Sequence, residues 1–283
     1  MPENPRIAVL GAGSMGGALL AGMLRTGAAS PDRVIATART RERADALAKE
    51  HGIRALAGAG GNLEAAENSD VVILAVKPSV MPSLLEEIRW GLREGRVLVS
   101  LAAAFTIRSI EQIVSRPISI FRAIPNTPVL VGEGATCIAG NPQARPEHYD
   151  MVERLFRSVG VVCYLDEDLL HAATALSGAG PAYIFLVIEA LTAAGLKAGL
   201  PRQVASRLAE QTVLGAAKLV RDTGQHPAIL RDQVVTPGGA TIAGLHELER
   251  GGLRASFTSA VEAAAERSRE ITHALEERLR PAE

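Results

Sequence analysis

The sequence predicts an α/β protein in two parts, a layer of mainly parallel strands with crossover helices over residues 1–165 and an all-α part over residues 166–283. The first part alternates short apolar runs with longer amphipathic segments, as parallel strands joined by helices do. In the second part, apolar residues recur at three- and four-residue spacing, and no further run rich in Val and Ile appears. Such spacing is typical of amphipathic helices.

The predicted strands are apolar runs that do not alternate with polar residues, as expected for strands buried on both faces. They are Ile7–Leu10, Val34–Thr37, Val71–Val76, Val97–Leu101, Ile118–Arg122, Thr136–Ala139 and Val159–Tyr164. Between them the predicted helices are Met15–Arg25, Arg41–His51, Met81–Leu92, Ile107–Val114 and Pro146–Arg157. The helices predicted for the second part are Pro181–Leu196, Pro201–Asp222, Pro227–Asp232, Ala240–Glu249 and Leu253–Arg280.

Composition limits the partners and the compartment. The 30 Lys and Arg against 31 Asp and Glu give a net charge of -1, whereas a protein that binds nucleic acid normally carries a basic excess. Two cysteines without CxxC spacing favour a reducing compartment and no metal site. No signal peptide is evident, and the apolar stretch Ala182–Leu196 is shorter than the roughly 20 residues that span a bilayer. We expect a cytoplasmic protein that binds neither nucleic acid nor membrane.

The segment Ile184–Leu196 is apolar nearly all round, apart from Glu189. A helix of that kind must be buried on more than one side. A helical part of under 120 residues has little core to supply such burial, so a second subunit is expected to cover it.

The first predicted strand runs directly into a glycine-rich turn and a helix. The turn reads Gly11-Ala12-Gly13-Ser14-Met15-Gly16, which is the G-x-G-x-x-G pattern in its required strand–turn–helix context. The first glycine permits the tight turn, the second lets the backbone approach a pyrophosphate, and the third lets helix and strand pack closely. The sequence therefore predicts a Rossmann-like, dinucleotide-binding N-terminal domain.

The end of the second strand indicates which dinucleotide is bound. An NAD enzyme places a carboxylate there against the ribose 2′-hydroxyl, whereas this sequence has Thr37-Ala-Arg39-Thr-Arg41. A guanidinium at Arg39 would attract a 2′-phosphate. We therefore expect NADPH, with NADH as the second candidate; solvated arginines at a helix start are the structural alternative.

Two segments of the second part place glycines and hydroxyl residues at a helix start. They are Ser177–Tyr183 and Val235–Thr241, and each is expected to be a loop that gathers backbone N–H groups into a nest for an anion. The alternative for both is a helix start in a tightly packed bundle.

Five blocks in chain order then resemble the pyrroline-5-carboxylate reductase family: Gly11–Gly16, Ala75–Pro78, Arg122–Pro128, Ser177–Tyr183 and His226-Pro with Thr236–Gly244. The resemblance implies NAD(P)H-dependent reduction of the cyclic imine 1-pyrroline-5-carboxylate to L-proline. It also implies a helical C-terminal dimerisation domain, often in rings of dimers. Thr236 stands where the family usually has Ser, so the hydroxyl is retained.

Carried over by position, the resemblance implies two sets of contacts. The cofactor contacts are Gly11, Ala12, Gly13, Ser14, Met15, Gly16, Asn62, Ala75, Val76, Lys77, Pro78, Leu101, Ala102 and Ala103. The substrate carboxylate contacts are Thr236, Gly238, Gly239, Ala240 and Thr241, with Thr241 beside the imine nitrogen in the catalytic position.

Two other functions stay open at the level of sequence. A β-hydroxyacid dehydrogenase shares the same domain order, but it needs a base such as lysine, and Ser177–Tyr183 contains none. A non-catalytic nucleotide-binding protein would have no need for the glycine-rich segment Thr236–Thr241.

Overall fold

The computed structural model describes residues 4–58 and 60–279. The chain divides into two compact units, one of Met1–Gly178 with Ala264–Glu283 and the other of Ala179–Ala263. The domain boundary predicted between residues 165 and 166 stays a prediction.

The first unit is built on one eight-stranded sheet. Its strands are β1 (Ile7–Leu10), β2 (Val34–Ala38), β3 (Arg54–Ala57), β4 (Val71–Leu74), β5 (Val97–Ser100), β6 (Ser119–Pro125), β7 (Gly134–Gly140) and β8 (Gly160–Tyr164). They lie in the order β3-β2-β1-β4-β5-β6-β7-β8. Every neighbouring pair of strands is parallel except β6 and β7, which are antiparallel. The reversal of strand order between β1 and β4 is the switch point at which such sheets bind ligands.

The helices of this unit cover both faces of the sheet. They are α1 (Ser14–Arg25), α2 (Arg41–His51), α3 (Gly61–Glu67), α4 (Met81–Ile88), α5 (Ile107–Val114), α6 (Pro146–Arg157), the short α7 (Leu170–Ala173) and, from Ala264 onward, the last part of a long C-terminal helix. One apolar cluster contains Leu19, Leu20 and Leu155 with one face of β1, and another contains Leu85 and Ile110 with the opposite face. The layered α/β architecture is therefore confirmed.

The second unit is helical, as predicted. Its helices are α8 (Gly180–Lys197), α9 (Arg202–Thr223), α10 (Pro227–Gln233), α11 (Ala240–Arg250) and the first part of α12 (Leu253–Leu279). The predicted end of the last helix, Arg280, lies outside the described residues. α8 has no buried residue within the single chain, and Phe185 and Leu186 are 60% and 65% exposed.

One helical stretch, Glu167–Lys197, is long and apolar enough to cross a membrane by length and composition alone. It is longer than the apolar stretch Ala182–Leu196 because the helix begins before the predicted loop at Ser177. None of its most apolar window is buried within the chain.

Candidate functional site

The glycine-rich turn between β1 and α1 has the tight geometry that its sequence predicts. Gly11 has a φ of +87°, and a Cβ there would lie 2.6 Å from Val76 Cγ1. A Cβ at Gly16 would lie 2.7 Å from Ala75 Cβ and 2.9 Å from the carbonyl oxygen of Gly11. Side chains at these two positions would force the turn away from the end of β4.

The start of α1 offers donors and space to an anion. Gly13 occupies the N-cap position, and no side chain caps the helix. A Cβ at Gly13 would meet nothing nearer than 4.0 Å, and Ser14 is exposed beside it, whereas Met15 is half-buried. The first N–H groups of a helix have no partner within it. These residues therefore fit a pyrophosphate group.

A hydrogen-bonded chain holds the turn from the side of β2. The N–H of Gly11 donates to Thr37 Oγ1 at 3.1 Å, and Thr37 Oγ1 donates to Asn62 Oδ1 at 2.7 Å. Asn62 Nδ2 donates to Glu87 Oε2 at 3.0 Å. The N–H of Ala12 also donates to the carbonyl of Thr37 at 2.9 Å. Asn62, predicted as a cofactor contact, thus also supports the glycine turn through Thr37.

Arg39 and Arg41 follow β2 but differ in their partners. Arg41 Nε donates to Asp45 Oδ1 at 3.0 Å. Arg39 is exposed directly after the strand, and it forms no ion pair within residues 4–58 and 60–279. Of the two guanidinium groups, Arg39 is the one free to meet a ligand.

The other predicted cofactor segments lie at the same edge of the sheet. Ala75–Pro78 follows β4 and Leu101–Ala103 follows β5, its neighbour in the sheet. The N–H of Ala75 donates to the carbonyl of Leu10 at 2.8 Å. Val76 packs against the glycine turn, whereas Lys77 is exposed at the start of a 3₁₀ turn that begins at Pro78. The ends of β1, β4 and β5 therefore place three of the predicted segments side by side: the glycine turn, Ala75–Pro78 and Leu101–Ala103. Asn62 joins them through its hydrogen bond with Thr37.

Two residues of β6 and the turn that follows it were not predicted as functional. Arg122 is only 1% exposed, and its guanidinium donates to Glu167 and to the carbonyl of Ala103. Asn126 accepts the N–H of Ala135 at 2.8 Å and donates to the carbonyl of Ser177 at 3.0 Å. For Arg122, the signal in the sequence was a charged residue at the end of the otherwise apolar run Ile118–Arg122.

The prediction of a loop at Ser177–Tyr183 is wrong. Thr174–Gly178 forms a π-helical turn after α7, and α8 begins at Gly180. The Ser177 hydroxyl donates to the carbonyl of Ala173 at 3.0 Å, as a serine inside a helix does. Ser177 therefore lies within helical structure and not in a loop that gathers free N–H groups.

The segment Thr236–Thr241, in the second unit, forms a tight turn immediately before a helix. Pro237 and Gly238, the latter with a φ of +67°, occupy the central positions of a turn closed by a 3.0 Å hydrogen bond from the N–H of Gly239 to the carbonyl of Thr236. This is the residue pattern of a type II turn. A Cβ at Gly239 would overlap Thr236 Oγ1, so a side chain at this position would require the Thr236 hydroxyl to rotate away.

α11 begins immediately after this turn with its first N–H groups unoccupied by a side-chain cap. Ala240 and Thr241 are exposed in its first turn. Five threonines deeper in helices, such as Thr192 and Thr223, donate to the carbonyl four residues earlier. Thr241 Oγ1 forms no hydrogen bond within the described part of the chain. The turn thus presents free N–H groups and a free hydroxyl together, which suits a small ligand with a carboxylate.

Within residues 4–58 and 60–279, no group of three or more His, Cys, Asp or Glu side chains is arranged to hold a metal ion.

Two family models match the chain. The model described as pyrroline-5-carboxylate reductase dimerisation matches residues 167–271, and the model described as NADP oxidoreductase, coenzyme F420-dependent, matches residues 6–104. A pyrroline-5-carboxylate reductase of Arabidopsis thaliana is 40% identical over 270 residues, which cover 95% of this chain and 96% of that protein. The human pyrroline-5-carboxylate reductase 2 is 40% identical over 281 residues, covering 98% of this chain and 87% of that protein.

Solved structures agree with the sequence relatives. The pyrroline-5-carboxylate reductase of Coxiella burnetii superposes with a TM-score of 0.91 at 36% identity, covering 95% of this chain and 99% of that chain. The pyrroline carboxylate reductase of Plasmodium falciparum, solved with NADP bound, gives a TM-score of 0.84 at 32% identity, covering 96% and 100%.

Proposed function

This chain belongs to the pyrroline-5-carboxylate reductase family and is an oxidoreductase that reduces 1-pyrroline-5-carboxylate to L-proline, the last step of proline biosynthesis; we propose that NADPH supplies the hydride and that Thr236–Thr241 holds the substrate. Membership of this family argues against both alternatives, the β-hydroxyacid dehydrogenase and the non-catalytic nucleotide-binding protein. The placement of the substrate rests on one observation: α11 begins without a side-chain cap, and the Thr241 hydroxyl in its first turn is free.

The choice of NADPH over NADH rests on Arg39. The cofactor is a nicotinamide dinucleotide, and a 2′-phosphate distinguishes the two forms. Arg39 follows β2, where the adenosine ribose lies in this fold, and it carries no competing ion pair among the described residues. The related Plasmodium protein binds NADP.

The chemistry asks the chain to position the reactants. When bound, the reduced nicotinamide supplies the hydride. In our proposal the N–H groups of Ala240 and Thr241, the first two residues of α11, bind the substrate carboxylate. Thr241 Oγ1 accepts a hydrogen bond from the protonated ring nitrogen and thereby orients C5. C5 accepts the hydride, the C=N double bond becomes a single bond, and the nitrogen keeps its proton as the secondary amine of proline. A protonated imine is already a good acceptor, so no acidic side chain is needed.

The chain forms a homo-oligomer through its dimerisation domain. We expect a homodimer that covers the exposed apolar face of α8, and a ring of dimers as the larger assembly. A second copy would also explain why α8 is apolar without requiring a membrane. We propose a cytoplasmic location, which agrees with a homodimer that does not bind a membrane.

The test is NADPH oxidation with pyrroline-5-carboxylate, by the wild type and by Thr241→Ala and Thr241→Ser. Loss of one hydrogen bond to the substrate should lower kcat/KM by about 10- to 100-fold in Thr241→Ala. Thr241→Ser keeps the hydroxyl and should recover most of the activity, and NADPH affinity should not change in either variant. If Thr241→Ala is fully active, or loses NADPH binding, the substrate site is placed wrongly.

A further inference from the structure

Arg122 is a buried cation in the middle of an apolar sheet. It lies on β6, where its register partner is Ser100, the last residue of β5. Its side chain is 1% exposed. Removing a guanidinium from water is costly unless charge and hydrogen bonds replace the water. The position of this charge therefore calls for an explanation beyond core packing.

The guanidinium spans two points of the segment that follows β5. Arg122 Nη1 donates to Glu167 Oε1 at 2.7 Å, and Nη2 donates to the carbonyl of Ala103. The same oxygen of Glu167 accepts the N–H of Ile107, the first residue of α5, at 2.8 Å. The backbone is thus fixed at Ala103 directly and at Ile107 through the carboxylate.

Packing anchors the segment independently of this arrangement. Ala102, Ala104 and Phe105 are already buried and anchor the segment by packing. A buried ion pair adds little net stability compared with apolar side chains of similar size. Arg122 Nε also lacks a partner among the described residues, so the burial is only partly compensated. What the pair adds is a defined direction for the carbonyl and N–H groups of the segment.

The sheet topology shows what this segment faces. The glycine turn follows β1, and the adenosine half of a dinucleotide lies over β1 to β3 in this type of sheet. The ends of β4 and β5 are on the other side of the switch point, where the nicotinamide half lies. Leu101–Ala103 follows β5 and ends at the carbonyl that Arg122 holds.

We propose that Arg122 and Glu167 are positioning residues for hydride transfer, which fix Leu101–Ala103 so that the nicotinamide ring is held in its reactive orientation. The proposal rests on the proposed function for the identity of the cofactor. Neither residue touches the reacting atoms; both act through the backbone between Ala103 and Ile107.

The experiment compares Arg122→Met and Arg122→Lys with the wild type and with Arg108→Met, which removes an exposed arginine of α5. The measurements are kcat, the dissociation constants of NADPH and of adenosine 2′,5′-bisphosphate, and the primary isotope effect with NADPH deuterated at the transferred position. The bisphosphate is the adenosine half of the cofactor and does not reach the segment after β5.

We expect kcat to fall at least ~10-fold in Arg122→Met, because displacements of about 1 Å at a reacting centre can cost ~100-fold. NADPH should bind more weakly while the bisphosphate binds as in the wild type, and the isotope effect should rise as hydride transfer becomes slower than product release. Arg122→Lys keeps the charge but cannot bridge both oxygens, so it should behave like Arg122→Met. Arg108→Met should match the wild type.

A second variant covers the case in which Arg122→Met does not fold. Glu167→Gln keeps an oxygen acceptor for both N–H donors, and Glu167 lies partly at the surface, so we expect a folded protein with a smaller loss of kcat. If kcat and bisphosphate affinity fall together in any of these variants, or if Arg122→Lys is fully active, the positioning role is refuted.

The two proposals fail in different ways. A wild type that does not reduce pyrroline-5-carboxylate with NADPH contradicts the proposed function. In that case the dissociation constant of NADPH, divided by that of the bisphosphate, still tests Arg122. If Arg122→Met leaves this ratio as it is in the wild type, the positioning role is overturned. If NADPH no longer binds more tightly than the bisphosphate, the positioning role is supported.

Discussion

Helix α1 contains glycines at positions 16, 17 and 22 with different surroundings, and we predict a different effect of alanine at each. A Cβ at Gly16 would contact Ala75 Cβ at 2.7 Å and the carbonyl oxygen of Gly11 at 2.9 Å. A Cβ at Gly17 would meet nothing nearer than 3.9 Å. A Cβ at Gly22 would overlap Val159 Cγ1, which is far from the glycine turn in sequence.

The magnitudes follow from two opposing terms. Alanine in place of glycine inside a helix stabilises by about 0.5–1 kcal/mol, and Gly17→Ala should show this gain. Overpacking costs about 1–3 kcal/mol, because the atoms that Gly16→Ala would meet are backbone or Cβ and cannot rotate away. The β-branched Val159 is similarly stiff opposite Gly22. We therefore expect Gly16→Ala and Gly22→Ala to lose roughly 1–2 kcal/mol of unfolding free energy.

Cofactor affinity separates the two destabilised variants. Gly16→Ala must move the glycine turn away from β4, so NADPH should bind about 10-fold more weakly or worse, because the turn carries the pyrophosphate contacts. Gly22→Ala disturbs the same helix two turns away and should bind NADPH as the wild type does. The assays are urea unfolding, followed by circular dichroism, and NADPH titration by fluorescence.

Equal stability of Gly16→Ala and Gly17→Ala, together with normal NADPH affinity in both, would contradict these expectations. That result would mean that α1 does not need to approach the end of β4 closely. If Gly22→Ala loses NADPH affinity as strongly as Gly16→Ala, general destabilisation explains both variants, and the glycine turn has no special role.

Three further predictions concern single side chains. Arg39→Ala should weaken NADPH by about 10-fold while NADH is unaffected, since an exposed charge to phosphate contributes about 1.5 kcal/mol; equal effects in a cofactor comparison would contradict this. Leu186→Glu on the exposed face of α8 should shift the protein to monomers in light scattering, whereas a dimer of wild-type mass would exclude α8 from the interface. Burial lowers the pKa of His148, so the unfolded chain binds a proton more readily and unfolding free energy should fall as the pH drops below about 6.5. His148→Asn should reduce that slope in urea titrations at several pH values, and an unchanged slope would assign it to other groups.

The sequence predicted best what is determined locally. β1, the glycine turn and α1 follow from an apolar run, glycines with fixed spacing and a helix-forming segment, and they are adjacent in the chain. β3 and the following α3 were missed because both are short, and β3 begins with the exposed Arg54 at the sheet edge. An edge strand with a charged end has no apolar signature that separates it from a loop.

The prediction for Ser177–Tyr183 failed because local rules were applied where long-range contacts decide. Glycine and serine before a proline suggested a loop, but Asn126 donates to the carbonyl of Ser177 and the serine hydroxyl bonds within its own helix. The segment Thr174–Gly178 is instead a π-helical turn, and one of its carbonyls, that of Ser177, accepts the hydrogen bond from Asn126. No local pattern in the chain shows that Asn126, 51 residues earlier, supplies that donor.

Arg122 and Asn126 belong to the same short segment, which is one of the blocks that carried the family resemblance. In the structure both bind backbone carbonyls of other segments, Ala103 and Ser177 respectively. A family pattern therefore mixes residues suited to contact ligands, such as the glycines of the first turn, with residues that fix the segments around them. Buried arginine or asparagine with every contact to backbone or carboxylate is the mark of the second kind. On that criterion we expect the segment Arg122–Asn126 to support the ends of the strands on the cofactor side, so its substitutions should alter the orientation of bound groups more than their affinity.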